Sequence, residues 1–374
     1  QAPGTADMKI TGGEAIPIRI AFKKPFKIAA GTLTHSNHVL VRLVDEHGRV
    51  GWGETTTFLE VYGYDQNSLY QILTEYLIPG VVGLDAGDLE EIHQRMDRIV
   101  PFNLMAKAGI DLAVYDLAAQ AAGTSIATLL GGRRKERVPL IGVVDIVAPQ
   151  EAGISAARQV SAGFRTIKIK IGLDAAADIR RIEAVRDAVG GDVRLRVDGN
   201  CGYDRDTALS VFARMEDYRL EWIEQPLPAW DLEGMALLAR SLKTPVAADE
   251  SVYTVHDARR CIAMGAADVI NIKVPKCGGI FRCRAIAELC GRSGIPCFLG
   301  GCLETSPGMA AAMQFYSATS SVASAAEIHG PPFYVDDVVC QAIEVADGAA
   351  ALPQSVGVGV AVDEEKVARY RRRL

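Results

Sequence analysis

The stretch Thr166-Ile167-Lys168-Ile169-Lys170-Ile171-Gly172 alternates apolar and charged residues. Side chains on a strand repeat every two residues, so both lysines face one way and the isoleucines the other. Lysine is seldom fully buried without a partner. Taken alone, the stretch fits an edge strand with one wet face. If it faces inward, the pair needs an anion, a substrate or a lowered pKa. The surrounding sequence decides between these. Similar β-rich runs recur at 138–144, 193–198, 220–224, 245–249, 268–273, 296–300 and 325–328, about 22 to 29 residues apart. Helical patterns fill the gaps over 175–189, 206–216, 232–241, 255–264 and 280–293, with acidic starts such as Asp204 and Asp206. Eight strand–helix alternations predict a TIM-like (β/α)8-type barrel, an α/β fold. A doubly wound sheet is the alternative, but no Gly-x-Gly-x-x-Gly follows the first strand.

The chain before the barrel reads differently. Residues 8–58 suggest strands, including 39–44 and 50–54 around a turn at Glu46-His47-Gly48, and 67–130 is mostly helical. The expected division is an α+β domain over 8–132, the barrel over 133–332, and a C-terminal segment, 333–374, that returns to the first domain. The 374 residues are 49% hydrophobic with a net charge of −6, and no basic patch points to nucleic acid. Arg371-Arg372-Arg373 reads as a solvated tail. No apolar run approaches the roughly 18 residues that would cross a membrane. Eight cysteines without a C-x-x-C pair, and no signal-like start, suit free thiols in the cytoplasm. Met8-Lys9-Ile10 resembles a natural start, which leaves open whether residues 1–7 are native.

In such a barrel, function collects where strands end at the C-terminal face. The second strand brings Lys168 and Lys170 there. The third ends on Asp198, the fourth on Glu224 and the fifth on Asp249. Lys273 ends the sixth, Glu304 follows the seventh, and the eighth carries Glu327. Adjacent strands lie about 4.8 Å apart, so three carboxylates on consecutive strands converge and repel one another. Any one of them fits a surface or capping role, but three in register call for a hard divalent cation. Mg²⁺ takes oxygen ligands, and the absence of His and Cys at these ends argues against zinc. A lysine acts as a general base only if its pKa falls, and a neighbouring ammonium group pushes it that way. Lys276 lies past the strand end and reads as a surface or loop residue.

These residues resemble the enolase superfamily and, within it, the muconate-lactonizing subgroup of the mandelate racemase/muconate lactonizing enzyme family. The resemblance rests on Lys168-x-Lys170, Asp198-Gly-Asn200, Glu224-Gln-Pro, Asp249-Glu250-Ser, Lys273 followed by Gly278-Gly279, and Val50-Gly-Trp-Gly-Glu54. It implies a modified (β/α)7β barrel closed by the α+β domain as a cap. It further implies Mg²⁺, with Mn²⁺ as a substitute, on Asp198, Glu224 and Asp249. Lys170 and Lys273 would act as acid/bases on opposite faces of a small carboxylate substrate, with Lys168 tuning Lys170. Asn200 and Glu250 would support the ligands. Glu304 would be an auxiliary acid or a structural hydrogen-bond partner. The cap would choose the substrate through two loops, 22–35, with Lys24, Lys27 and His35, and 54–64, with Phe58, Tyr62 and Tyr64. The family is also commonly homo-oligomeric.

The implied activity is an isomerase working through an enediolate, either a cycloisomerase or a racemase/epimerase, with syn-dehydration as the alternative. Dipeptide epimerases generally show Asp-x-Asp after the eighth strand. Here Glu327-Ile328-His329-Gly330-Pro331 is more like muconate cycloisomerases, although Glu327 could still meet a cation. Two readings of other classes stay open. One is a Schiff-base enzyme using Lys170 or Lys273, which borohydride would trap without a metal. The other is a binding protein on an inherited barrel.

Overall fold

A computed structural model describes residues 8–28, 31–328 and 330–374; the side chains of Phe26, Lys27, Ile28 and Glu60 lie outside that description. Residues 1–7, His329 and the Lys27 side chain, singled out above, therefore lie outside the described residues. Strands β1 (Ile10–Ile28), β2 (Gly31–Asp45) and β3 (Val50–Thr57) form an antiparallel sheet. The segment 22–35, expected as a loop, instead carries antiparallel pairing on both sides of 29–30, with Phe26 opposite Leu33 and Ile28 opposite Gly31. Its register slips between Ala21 and Phe26, across a run containing Pro25, which has no N–H to give a ladder.

Helices Gln66–Ile72 and Leu104–Ala121 cover the sheet, and Leu89–Ile99 packs against the second of them. Helix Leu104–Ala121 is buried on almost every face, Lys107, Asp111 and Asp116 included. The Val50-Gly-Trp-Gly-Glu54 motif is its docking edge. A Cβ on Gly51 would stand 2.2 Å from Ala113 O, and one on Gly53 2.0 Å from Gly109 O. Alternate residues on the strand face the helix, and only hydrogen fits there. Between them, Trp52 N donates to Asp116 Oδ2 at 2.8 Å.

The second layer is a curled parallel sheet running in sequence order. It comprises β5 (Gly142–Val144), β6 (Thr166–Lys170), β7 (Arg194–Asp198), β8 (Leu220–Glu224), β9 (Val246–Ala248), β10 (Val269–Lys273) and β11 (Cys297–Gly300). β6 lies between β5 and β7, so the edge-strand reading of the lysine pair is wrong. The first and eighth runs differ from expectation. β4 (Arg137–Pro139) leaves the barrel to pair with β13 (Ala349–Ala351), which also pairs β12 (Val345–Ala346). The eighth position is closed by bridges alone, Leu140 to Ala326 and Cys297 to Val322, and Glu327 N donates to Leu299 O at 2.8 Å. Helices 175–189, 205–215, 232–241, 255–264 and 280–293 lie between the strands, and the apolar interfaces form one continuous core. The C-terminal chain reaches β1 through bridges of Phe22 to Tyr334 and Ile18 to Arg371.

Carboxylates tie the N-terminal layer to the barrel. Glu54, fully buried, accepts Thr305 N at 2.8 Å and Gly308 N at 2.9 Å at the start of helix Ser306–Ala318. Asp111 accepts Ile280 N at 2.5 Å and Phe281 N at 3.2 Å at the start of Ile280–Ser293. Helix starts carry unpaired N–H groups and partial positive charge, so an acid there replaces lost hydration. Gly279 is part of the second joint, because a Cβ on it would meet Asp111 Cγ at 2.2 Å. Gly53→Ala is expected to cost about 3 kcal/mol or more of unfolding free energy in urea titrations. Gly12→Ala, whose Cβ would meet nothing within 4 Å, is the control; equal effects of the two would remove the packing explanation.

Candidate active site

The barrel mouth gathers the charged residues that alternate along its strands. On β6, Lys168 is fully buried and Lys170 sits one layer nearer the mouth. Lys168 Nζ lies 2.8 Å from Asp198 Oδ2 and donates to Glu224 Oε2 at 3.0 Å and Glu327 Oε2 at 2.5 Å. Lys170 Nζ donates to the same Asp198 Oδ2 at 2.6 Å and to Asn200 Oδ1 at 3.0 Å. Lys273 Nζ lies 2.7 Å from Asp249 Oδ2 and donates to Tyr62 OH at 2.8 Å. Lys276 corrects its sequence reading. The chain coils into a single turn over Val274–Cys277, and this folds Lys276 inward, fully buried, onto Asp249 Oδ1 at 2.8 Å and Asn271 O at 3.1 Å.

Asp198 and Glu224 are register partners on β7 and β8, and Asp249 follows β9; all three are fully buried. Burial would raise the Asp198 pKa, but Lys168 and Lys170 hold it well below the ordinary carboxylate range. Burial likewise opposes ionisation of Asp249, yet Lys273 and Lys276 hold it at about 2. Glu224 goes the other way. Burial pushes it up to about 7 against the pull of Lys168, with Asp198 and Glu327 adding to the rise. Glu250 is pushed up to about 8 by burial and by Asp249 and Asp198 beside it. Lys168 itself would lose charge through burial, but Asp198, Glu224 and Glu327 outweigh that and raise its pKa.

As the side chains stand, no group of three or more His, Cys, Asp or Glu among the described residues is arranged to hold a metal ion. Ammonium groups are in contact with each of the three acids instead. The donor set nonetheless suits a hard cation. It consists of oxygens only, and Asp249 Oδ2, despite its contact with Lys273, makes no hydrogen bond of good geometry. Glu250 Oε2 beside it is also buried without a partner.

The backbone at these strand ends is strained. Asn200, Cys201, Gln225 and Leu303 have φ of 40°, 63°, 31° and 61°, in the region that favours glycine. Gln225 is held there by use of its whole amide. Oε1 accepts Asp249 N at 2.9 Å and Ser251 N at 3.1 Å, while Nε2 donates to Leu227 O at 2.9 Å. It thereby fixes the Asp249 loop to the end of β8. Asn271 Nδ2 donates to Glu224 Oε1 at 2.7 Å. Neither residue was assigned a role from sequence, although Asn271 stands two residues before Lys273 and so shares its face. Asp145, after β5, was also missed; burial, opposed by Lys170, lifts it to about 6.

A cavity of ≈ 30 Å³ opens between the lysines, lined by Lys170, Asn200, Lys273 and Glu327 from the barrel and by Phe58 and Tyr62 from the N-terminal layer. Tyr64 and Glu250 do not line it, and Glu250 Oε1 accepts Asn200 Nδ2 at 2.9 Å. Glu304 does not line it either. The left-handed turn at Leu303 carries Glu304 toward the joint at Glu54 and Gly308, where its Oε2 accepts Cys302 N at 3.0 Å. The cysteines are free, and Cys302 is buried close to this turn.

Residues 15–131 match the model of the mandelate racemase/muconate lactonizing enzyme N-terminal domain, and 152–366 that of the enolase C-terminal domain-like family. The chain belongs to the mandelate racemase/muconate lactonizing enzyme family of the enolase superfamily. It is 31% identical to N-succinyl-L-Arg/Lys racemase of Bacillus cereus over 96% of both chains. The crystal structure of that racemase superposes with a TM-score of 0.95 at 29% identity, covering 98% of this chain and 99% of the other. Muconate cycloisomerase 1 of Rhodococcus opacus is 32% identical over 98% of this chain and 99% of its own. The dipeptide epimerase of Enterococcus faecalis, crystallised with Mg and L-Leu-L-Tyr, matches with a TM-score of 0.91 at 32% identity, covering 95% of this chain and all of that one. The chain is an isomerase of this superfamily. No helix among the described residues is long and apolar enough to cross a membrane.

Burial pushes Glu304 from the ordinary 4.5 up to about 7, and nearby Glu54 adds to the rise. Such a carboxyl keeps its proton on folding, so the folded state binds more protons between these pH values and stability falls as pH rises through them. Glu304→Gln removes that titration. The variant should therefore gain thermal stability relative to the parent between about pH 4.5 and 7.5, with a constant difference above that. Parallel melting curves across the window would show that Glu304 is ionised in the fold.

Proposed function

We propose that the protein racemises or epimerises the carbon next to the carboxylate of an N-acyl amino acid or dipeptide, with Mg²⁺ held by Asp198, Glu224 and Asp249. The observation that carries this reading is the single cavity lined by both Lys170 and Lys273. β6 and β10 are the second and sixth positions of an eight-position barrel, so these lysines approach from opposite walls. Inversion at carbon needs this arrangement, with a proton removed on one side and delivered on the other. Held by Asp198, Glu224 and Asp249, the cation would supply positive charge that makes the α-proton of a carboxylate substrate more acidic.

Lys170 Nζ takes the proton from one enantiomer while Lys273 Nζ returns one to the opposite face; the roles reverse for the other enantiomer. Asn200 steadies Lys170, and Tyr62 orients Lys273. Phe58, Val61 and Leu303 keep water from the carbanion. The names of the Bacillus cereus racemase and the Enterococcus faecalis epimerase support amino acid derivatives as substrates. Full-length similarity to muconate cycloisomerase favours cycloisomerisation as the second reading, which needs only one of the two lysines.

The test is α-proton exchange in D₂O, read by NMR and mass spectrometry on enantiomer pairs of N-acyl amino acids and dipeptides. With Mg²⁺, both enantiomers should exchange and interconvert. Lys170→Ala and Lys273→Ala should each slow exchange of a different enantiomer by about 10²-fold or more. EDTA should abolish exchange, and Mg²⁺ or Mn²⁺ should restore it. Metal-independent turnover, or a lactone product without inversion, would sink the racemase reading.

A further inference from the structure

A second chamber of ≈ 250 Å³ adjoins the lysine cavity, and Phe58 and Leu303 line both. On the Leu303 side the partition is anchored, with a left-handed φ of 61° and its carbonyl accepting from Tyr334 OH. The lysine cavity is water-sized and cannot hold a whole substrate. The adjoining chamber is the larger space beside it.

The wall of that second chamber includes Arg372, from the run expected to be a solvated tail. The chain is pinned to β1 at this point, with Arg372 N donating to Pro17 O at 2.8 Å. Arg372 Nη1 donates to Gln66 Oε1 at 2.8 Å. Gln66 is buried and fixed in turn, its Nε2 donating to Ile18 O at 2.8 Å and His38 O at 2.6 Å. Arg372 therefore has a positioned guanidinium with a neutral partner, and no carboxylate pairs with it among the described residues. Asp65 also lines the chamber, but it caps its own helix, accepting Asn67 N at 2.9 Å and Ser68 N at 3.2 Å. His35, on the same wall, adds a second group able to donate to an anion.

We propose that this chamber receives the far end of the substrate and that Arg372 selects molecules carrying a second anionic group there, such as an acid-tipped N-acyl amino acid. The inference rests on the reading of the lysine cavity as the reacting site. A guanidinium fork matches a carboxylate with two parallel hydrogen bonds, and desolvation in a chamber strengthens them.

The test compares N-succinyl-alanine with N-butyryl-alanine, which exchange a terminal carboxylate for a methyl group. Binding to the Mg²⁺-loaded protein is measured by calorimetry, and α-proton exchange is followed on the same samples. The succinyl compound should bind about 10- to 100-fold more tightly. Arg372→Met should bring the two within about twofold of each other by weakening the succinyl compound alone, and Arg372→Lys should keep part of the preference. Arg373→Gln, beside it, should change neither. Equal binding of the two by the parent protein, or equal weakening of both by Arg372→Met, would overturn the assignment. A binding preference that depends on Arg372 without any proton exchange would uphold this subsite and count against the proposed reaction instead.

Discussion

A carboxylate and an ammonium group that are each too costly to bury alone can be buried together, and the mouth of this barrel is built on that constraint. Lys168 is enclosed by Asp198, Glu224 and Glu327, while Asp249 is enclosed by Lys273 and Lys276. Removing one member of such a set leaves an unpaired charge in a dry interior, which costs far more than the set contributes to stability. The arrangement is therefore better understood as fixing positions than as adding stability. It holds ammonium groups at defined heights on opposite walls, with oxygen ligands between them that suit a hard ion.

The same economy of charge joins the two layers. Glu54 and Asp111 belong to the N-terminal layer, yet they complete the first turns of barrel helices. The helix that Glu54 caps begins directly after Leu303, Glu304 and Thr305, so the joint also sets the wall of the reacting cavity. Tyr62, from the one-turn helix Leu59–Tyr62, then reaches Lys273 across the interface. The cavity is thus shared, its floor barrel and its roof cap.

Much of this was legible from residue order. Strand periodicity and even spacing were enough for the barrel, because parallel strands each need a helix to return. Asp198, Glu224 and Asp249 were legible because they recur at strand ends. What stayed hidden depends on where the backbone turns. Lys276 looked like a loop residue until a single turn folded it inward, and Glu304 stands behind the cavity wall, accepting Cys302 N, after the left-handed turn at Leu303. The strand pairing within 22–28 and 31–35 was read as loop because charged residues and Pro25 mask its ladder. The place of Arg372 in the chamber wall could not have been read at all, since it depends on a contact with Gln66 more than three hundred residues earlier.

The glycines of Val50-Gly-Trp-Gly-Glu54 set backbone directly against backbone, with no side chain between to absorb a shift. Most packing contacts can drift as one side chain grows and its neighbour shrinks. This one cannot, because there is nothing to trade. A side chain added at either glycine must therefore push the two layers apart, whereas the chamber walls are side chains that can be exchanged without moving the joint.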